Sequence, residues 1–155
     1  MGTAEWIAGA LLLVTWCAVL AVFTTPEAPN GQGVKHARVS TMNQGGDGLA
    51  RHGQLLVTGW WLGSMVIAVF VGALAFGARR TGKGSRLDAT RWATFLVGGF
   101  LFEATFSMMC LAYQKSLYEP DIRFLGPFPA GLSWLLFGIW AVPGFFIVTY
   151  VVVFH

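Results

Sequence analysis

One acidic side chain, Glu103, interrupts the apolar segment LFEATFSMMC, which runs from Leu101 to Cys110. An ionised carboxylate at the centre of a membrane helix costs about 3 kcal/mol on insertion scales. We therefore expect Glu103 to be protonated, paired or hydrogen-bonded. Ser107 lies one helical turn further on, at the spacing that brings two side chains together. The other apolar segments carry no Lys, Arg or His at mid-depth, which favours a bond to Ser, Thr or Trp of another helix or chain.

The same carboxyl group is a candidate stop on a proton or cation path. Transfer along such a path needs further ionisable groups or water, and intramembrane relays use several acidic or histidine side chains in series. The supporting hydroxyl side chains in the apolar segments are few and scattered. The sequence therefore favours a structural role for Glu103 and keeps coupled transport as the alternative.

Histidine gives the second candidate chemistry, because imidazole is the usual axial ligand of a membrane haem. His36 and His52 fall on one predicted side of the membrane and His155 on the other, so His52 and His155 cannot hold one haem. His52 with its neighbours Trp60 and Trp61 remains a candidate haem- or quinone-proximal group. Trp residues near helix ends also suit the membrane interface. We expect no cofactor of the chain's own, with an interfacial haem or quinone as the open alternative.

The motifs of self-contained enzymes are absent from the sequence. Cys17 and Cys110 are its two cysteines, and they form neither a CxxC pair nor a zinc-binding spacing. There is no GxSxG, no HExxH and no phosphate-binding glycine loop. We therefore predict no metal site and no catalysis by the chain alone.

The composition is that of a membrane protein: 55% of the 155 residues are hydrophobic and 11% are charged. A soluble domain carries about 25% charged residues. A span needs about 20 apolar residues, and four stretches meet this length, at about 6–23, 54–77, 92–113 and 131–154. The sequence thus predicts an all-α integral membrane protein, a four-transmembrane-helix bundle forming one domain over residues 1–155.

Basic residues between the second and third spans predict the orientation. The loop 78–91 carries a dense group of cations, which would also anchor this face at anionic headgroups: Arg79, Arg80, Lys83, Arg86 and Arg91. Cytoplasmic loops are enriched in Lys and Arg. We expect this loop and both termini to be cytoplasmic, and the long loop 24–53 and the loop 114–130 to lie outside, in a bacterial-type inner membrane.

Small residues and one proline predict how the helices pack. The second span has small residues at intervals of four, which let helix backbones approach closely in lipid; these candidates for helix packing are Gly59, Gly63, Ser64, Ala68 and Gly72. The contact could serve another chain or another span of this chain. In the fourth span, Pro143 with Gly144 predicts a kink or hinge, because proline removes a backbone donor.

The size and plain composition resemble accessory subunits of respiratory and transport complexes in a general way. The leading hypothesis is a small non-catalytic membrane subunit of a larger complex, with electron transport as the favoured setting and packing, assembly or quinone-side shielding as its contribution. The expected partners are the lipid bilayer and either other membrane subunits or further copies of the chain, not nucleic acid. A proton- or cation-coupled transporter using Glu103 and a haem- or quinone-binding anchor using His52 are the alternatives.

Overall fold

Four helical spans make up the protein in a computed structural model that describes residues 3–26, 34–44, 48–78, 89–119 and 123–154. Helix α1 is Thr3–Thr24, α2 is Gly48–Gly77 and α3 is Ala89–Tyr118. The fourth span consists of α4 (Ala130–Ser133), a π-helical segment (Trp134–Ile139) and α5 (Ala141–Phe154). All four are long and apolar enough to cross a membrane, so the predicted all-α bundle of four apolar helices is confirmed.

Helices α2 and α3 extend past the apolar runs that predict them. Each has 30 residues, which at 1.5 Å per residue is about 45 Å, against a hydrocarbon core of about 30 Å. The extra turns are 48–53 at the start of α2 and 114–118 at the end of α3. Part of each predicted outer loop is therefore helix that continues an adjacent span.

The helices pack in chain order. Helix α1 lies beside α2, α2 lies beside α3, and α3 also contacts every piece of the fourth span. Among the described elements, α1 has neighbours on α2 alone. None of the residues in its apolar window is buried. Helix α3 is thus the central element, and α1 is peripheral to the rest of the bundle.

The apolar core lies where the end of α2, the start of α3 and α5 meet. Its buried members are Ala75, Ala78, Phe95, Val142 and Phe146. The ring of Phe146 packs edge-on to Phe70, with centroids 5.9 Å apart, and stacks with Phe95 at 6.5 Å. A Cβ atom added to Gly98 would lie 2.6 Å from the Phe146 ring, so the missing side chain makes room for it.

Two short antiparallel hairpins lie outside the helices. One pairs β1 (Val34–Lys35) with β2 (Asn43–Gln44), and the other pairs β3 (Phe124–Leu125) with β4 (Phe128–Pro129). In the second, Gly126 has a φ of 69° and Pro127 follows it. The turn needs a positive φ at its first position and proline requires a negative φ at the second, which is the type II′ pattern.

The fourth span changes its winding before Pro143. The N–H of Trp140 bonds the carbonyl of Leu135 at 3.3 Å, five residues back rather than four. Pro143 has no N–H to donate to the carbonyl of Ile139, so a regular α-helix cannot run through this point. The irregularity thus occupies Trp134–Ile139 and the turn at Trp140, while Pro143 sits in the first turn of α5, where proline is tolerated.

Candidate functional site

The candidate site lies midway along the antiparallel pair of α2 and α3. Glu103 and Ser107 are one turn apart on α3, and Trp60 and Ser64 are one turn apart on α2. The two pairs face each other, and their side chains are half-buried. We call these four residues the mid-span polar cluster.

The shortest bond of the cluster joins the two helices. The Ser64 hydroxyl donates to Oε1 of Glu103 at 2.6 Å. The Ser107 hydroxyl reaches the same oxygen at 3.4 Å, which is long for a hydroxyl donor and therefore weak. The indole N–H of Trp60 donates to Ser107 Oγ at 3.2 Å. A connected polar chain thus links α2 to α3 inside the apolar bundle.

The second carboxyl oxygen of Glu103, Oε2, has fewer hydrogen-bond donors near it than Oε1 in the described chain. Within the described part of the chain, no hydrogen-bond donor reaches Oε2. No other described acidic or basic side chain lies in the middle turns of the helices. The cluster can therefore hold a proton or accept a donor from outside the chain, but it offers no second charged group for onward transfer.

The cluster brings together residues that the sequence assigns to different roles. Glu103 with Ser107 is the predicted buried acid pair, whereas Ser64 is a predicted packing residue and Trp60 a predicted cofactor-proximal one. Trp61 is not part of the cluster; its side chain is 65% exposed. The sequence alone does not set the register of α2 against α3. It therefore does not predict that Ser64 and Trp60 lie beside Glu103.

The small-residue row of α2 divides into two faces. A Cβ atom added to Gly63 of α2 would overlap the ring of Phe106 of α3, so the packing of these two helices requires a glycine at position 63. Ser64 belongs to the cluster. Gly59 and Gly72 have no atom within 4 Å of an added Cβ, and Ala68 is exposed. The described contacts therefore place Gly63 and Ser64 between α2 and α3 and leave the other three open.

The predicted hinge residues lie at the start of α5. Pro143 is half-buried and Gly144 is exposed, with no atom within 4 Å of an added Cβ. Gly138, in the π-helical segment, is the glycine that makes close contact here: an added Cβ would be 3.2 Å from Thr105 and from Trp134. Gly138 thus lies in a tight contact between α3 and the fourth span, a role that no local sequence pattern marks.

The two described histidines, His36 and His52, each make a different local contact. His52 is exposed, and its ring meets Tyr113 edge-on with centroids 5.8 Å apart. Nδ1 of His36 accepts the backbone N–H groups of Arg38 and Val39 at 3.1 and 3.2 Å, which stabilises its own loop. His155 lies outside the described residues. The described part of the chain contains no group of three His, Cys, Asp or Glu side chains that could hold a metal ion.

The basic loop 78–91 is described only at its two ends. Arg79, Arg80, Lys83 and Arg86 fall outside the described residues. Arg91, in the first turns of α3, donates from Nη1 to the carbonyl of Ala78 at 3.3 Å. Ala78 directly follows α2, where carbonyl groups lack helical partners and attract cations. Arg91 therefore stabilises the end of α2 in addition to carrying charge.

A second concave feature lies at the opposite end of α3, beside the β3–β4 hairpin. A groove of about 810 Å³ runs between the last turns of α3 and the start of the fourth span. Its walls are mainly apolar and include Met108, Leu111, Leu132 and Leu135. No local sequence pattern marks these wall residues, because the groove depends on how the hairpin folds back.

Charged residues surround the mouth of this groove. Glu119 accepts an ion pair from Lys115 at 3.4 Å through one oxygen and from Arg123 at 3.2 Å through the other. The carbonyl of Arg123 accepts the N–H of Ala130 at 2.9 Å, which ties the residue before the hairpin to the start of α4. The mouth therefore has two cations arranged around one carboxylate in the described residues.

Ser133 connects the hairpin to the fourth span. It is 1% exposed, and its hydroxyl lies 2.7 Å from the carbonyl of Leu125 and 3.3 Å from that of Phe128. A buried hydroxyl costs free energy unless it is bonded, and the shorter bond meets that need. The position of the hairpin over the groove thus depends on Ser133.

Comparisons of the chain with protein-family models, with curated proteins and with solved structures found no match. The mid-span polar cluster and the surfaces around it are therefore the features that point to a function.

Proposed function

We propose that this protein is a small non-catalytic integral-membrane subunit of a larger membrane complex, with an electron-transport assembly as the favoured setting. The observation that carries the proposal is the state of Glu103. Oε1 accepts a 2.6 Å bond from Ser64, while Oε2 has no donor in the described residues. Hydrocarbon supplies no hydrogen-bond donors. A donor from a neighbouring subunit would complete the bonding of this oxygen.

The peripheral position of α1 supports the same proposal. Helices associate in lipid through close packing and interhelical hydrogen bonds rather than through hydrophobic burial. Helix α1 uses one neighbour, α2, in the described chain and leaves bulky side chains such as Trp6, Trp16 and Phe23 exposed. Much of its surface is therefore available to a partner helix as well as to lipid.

The proposed setting is a bacterial-type inner membrane, with loop 78–91 and both termini in the cytoplasm. The density of cations in that loop supports this orientation. The segments 24–53 and 114–130 would then face outside, with both hairpins on that side. Cysteine-accessibility labelling of single introduced cysteines in loop 78–91 and in the β3–β4 hairpin would test it, in a background with Cys17 and Cys110 replaced by alanine.

Purification under gentle conditions tests the subunit proposal. A tagged chain would be extracted in mild detergent, and its stoichiometric companions identified by mass spectrometry alongside a visible spectrum. We expect at least one membrane protein to co-purify. Isolation of the chain without a stoichiometric partner contradicts the proposal. A Soret band belonging to the isolated chain would favour the haem-binding role of His52 instead.

A matched pair of variants sharpens this experiment. Glu103→Gln keeps a carbonyl oxygen for Ser64 but replaces the second acceptor by a donor NH₂ group. We expect Glu103→Gln to lower partner recovery several-fold while the chain stays folded. Ser116→Ala, which removes an exposed local hydroxyl on α3, should leave recovery unchanged. Equal recovery of the partner with the unmodified chain and with both variants would show that Glu103 does not contribute to the partner contact.

A proton- or cation-coupled transporter is the second candidate, and the same open oxygen supports it. Oε2 could exchange a proton or ligate a cation as part of a cycle. The scarcity of other charged groups at mid-depth ranks it below the subunit proposal. Proteoliposomes containing the pure chain test it: ion-linked flux that Glu103→Gln abolishes and Ser116→Ala preserves would favour transport.

A further inference from the structure

The groove beside the β3–β4 hairpin combines an apolar channel with charged groups at one end. Its apolar walls come from α3 and from the start of the fourth span, and its volume is about 810 Å³. Ligand sites in proteins occupy about 300–1,000 Å³ and are mainly apolar with a few polar groups that orient the ligand. The size and lining thus suit part of an amphiphilic molecule rather than a small ion.

The charges at the mouth decide which amphiphile fits. Lys115 and Arg123 share the carboxylate of Glu119, so neither cation has that carboxylate to itself. Arg123 uses Nε for its ion pair, and within the described chain no acceptor reaches its two Nη atoms. A guanidinium with free Nη donors binds phosphate through two parallel bonds. The free Nη donors of Arg123 therefore complement a phosphate group.

The position of the mouth suits a lipid. Lys115 lies 12 residues beyond Glu103 along α3, a rise of about 18 Å from the middle of the span. Half of a hydrocarbon core is about 15 Å, so the cations stand at headgroup depth while Leu111 and Met108 line the groove below them. A headgroup at the mouth would direct an acyl chain along the apolar walls.

We infer that this groove is a binding site for one anionic phospholipid, with its phosphate at Lys115 and Arg123 and an acyl chain along Leu111, Leu132 and Leu135. The inference is independent of the proposed function, because it concerns a different surface and requires no partner protein. It assigns a role to the Ser133 contact: by fixing the hairpin it holds Arg123 over the end of the groove.

Native mass spectrometry tests the headgroup. The full chain in mild detergent would be given equal amounts of phosphatidylglycerol and phosphatidylcholine with the same acyl chains. Each engaged cation contributes about a five-fold preference for the anionic lipid. We expect phosphatidylglycerol to be retained in preference, and Arg123→Gln or Lys115→Gln to reduce that preference about five-fold. Lys35→Gln, a matched change in the other hairpin, should have no effect.

A second pair of variants tests the acyl channel. Leu111→Trp places a bulky ring in the groove and should reduce retention of both lipids. Leu96→Trp, at a 65% exposed position of the same helix away from the groove, should not. The surface variants at Lys115 and Arg123 keep the test decisive if Leu111→Trp does not fold.

Four outcomes would overturn the inference. The first is equal retention of the two lipids by the unmodified chain. The second is an unchanged preference in both Lys115→Gln and Arg123→Gln. The third is complete displacement of phosphatidylglycerol by millimolar glycerol phosphate, which would mean that the mouth binds free phosphate and the groove holds no chain. Exclusive recovery of a neutral quinone in place of phospholipid would also contradict it.

Discussion

Ser64 of α2 donates a 2.6 Å hydrogen bond to Oε1 of Glu103 on α3, in the middle of two helices that are each 30 residues long. This contact gives the acid a partner inside the chain. It also fixes which turn of α2 lies opposite which turn of α3, because a hydroxyl reaches an acceptor over a short distance only. The bond therefore specifies helix register as well as stabilising the pair.

Removing the Ser64 hydroxyl is expected to weaken the pairing of α2 with α3. Interhelical hydrogen bonds in membrane proteins contribute about 0.6 kcal/mol on average and at most about 1.7 kcal/mol. The short distance to a carboxyl oxygen places this bond near the upper value. We expect Ser64→Ala to lower the free energy of unfolding by about 1.5 kcal/mol, measured by reversible unfolding in bicelles.

A double-mutant cycle separates the bond from other effects of the substitution. In a Glu103→Ala background, Ser64→Ala should cost close to nothing, because its acceptor is gone. Ser116→Ala serves as the control in both backgrounds, since its hydroxyl bonds the nearby carbonyl of Tyr113. Equal costs for Ser64→Ala in the two backgrounds would show that the bond contributes no coupling.

Gly63 is expected to be the sensitive glycine of α2. An added Cβ would overlap the Phe106 ring, which would have to move within a packed interface. Overpacking of this kind costs about 1–3 kcal/mol, so Gly63→Ala should destabilise the chain by that amount. Gly59→Ala and Gly72→Ala, where the added atom meets open space, should be neutral. Thermal unfolding of the three variants in the same detergent would rank them, and a neutral Gly63→Ala would contradict the close contact.

Phe146 is expected to be the most costly aromatic side chain to truncate. It is 7% exposed and contacts Phe70, Phe95 and Phe145. Core Phe→Ala substitutions cost about 3–5 kcal/mol; the loss here is mainly of packing contacts, which places it near 3 kcal/mol. Phe100→Ala, at a position that is 73% exposed, should cost far less. Similar losses for the two variants in chemical unfolding would mean that this core is unimportant.

Ser133→Ala is expected to release the β3–β4 hairpin without unfolding the bundle. The change removes the 2.7 Å bond to the Leu125 carbonyl and leaves that acceptor without the hydroxyl. A lost bond of this kind costs about 1–3 kcal/mol. Hydrogen exchange should rise at the amides of the hairpin and of Ala130 while those of α3 stay protected. Unchanged exchange in the hairpin would show that Ser133 does not hold it.

Much of the fold could be predicted because lipid imposes a simple requirement on each span. A helix that crosses the hydrocarbon satisfies its own backbone, so long apolar runs identify helices without reference to their neighbours. The four apolar helices follow from that requirement. Their ends do not, because α2 and α3 continue into residues 48–53 and 114–118, where polar side chains allow helix or loop equally.

For the mid-span polar cluster, the sequence predicts which residues are neighbours within each helix but not which residues meet between the two helices. Glu103 and Ser107 are one turn apart on α3, and this spacing alone makes them neighbours. Trp60 and Ser64 have the same spacing on α2, but no local rule sets the register of one helix against another. The sequence therefore predicts a packing role for Ser64, which in the structure also bonds the acid.

The features at the hairpin end depend on contacts between distant residues. The turn at Gly126 and Pro127 carries a local signal, since glycine followed by proline suits a type II′ turn. Ser133 has no such local signal, because no short-range sequence pattern predicts a contact with Leu125, eight residues earlier. The groove and its charged mouth arise from these long-range contacts, which is why hydropathy did not reveal them.

The π-helical segment Trp134–Ile139 has a consequence for how substitutions along the fourth span would be tolerated. A π segment has about one more residue per turn than an α-helix. The helix that follows is therefore rotated by about 100° relative to a regular continuation of the same residues. Ser133 and Val142 are nine residues apart and would point in opposite directions on a regular helix, yet both are buried. A tryptophan scan would therefore show two sensitive stripes, before and after Trp140, that are out of phase by about one residue. The buried face of the fourth span is continuous in the structure, but its residues do not follow a single helical period along the amino-acid sequence.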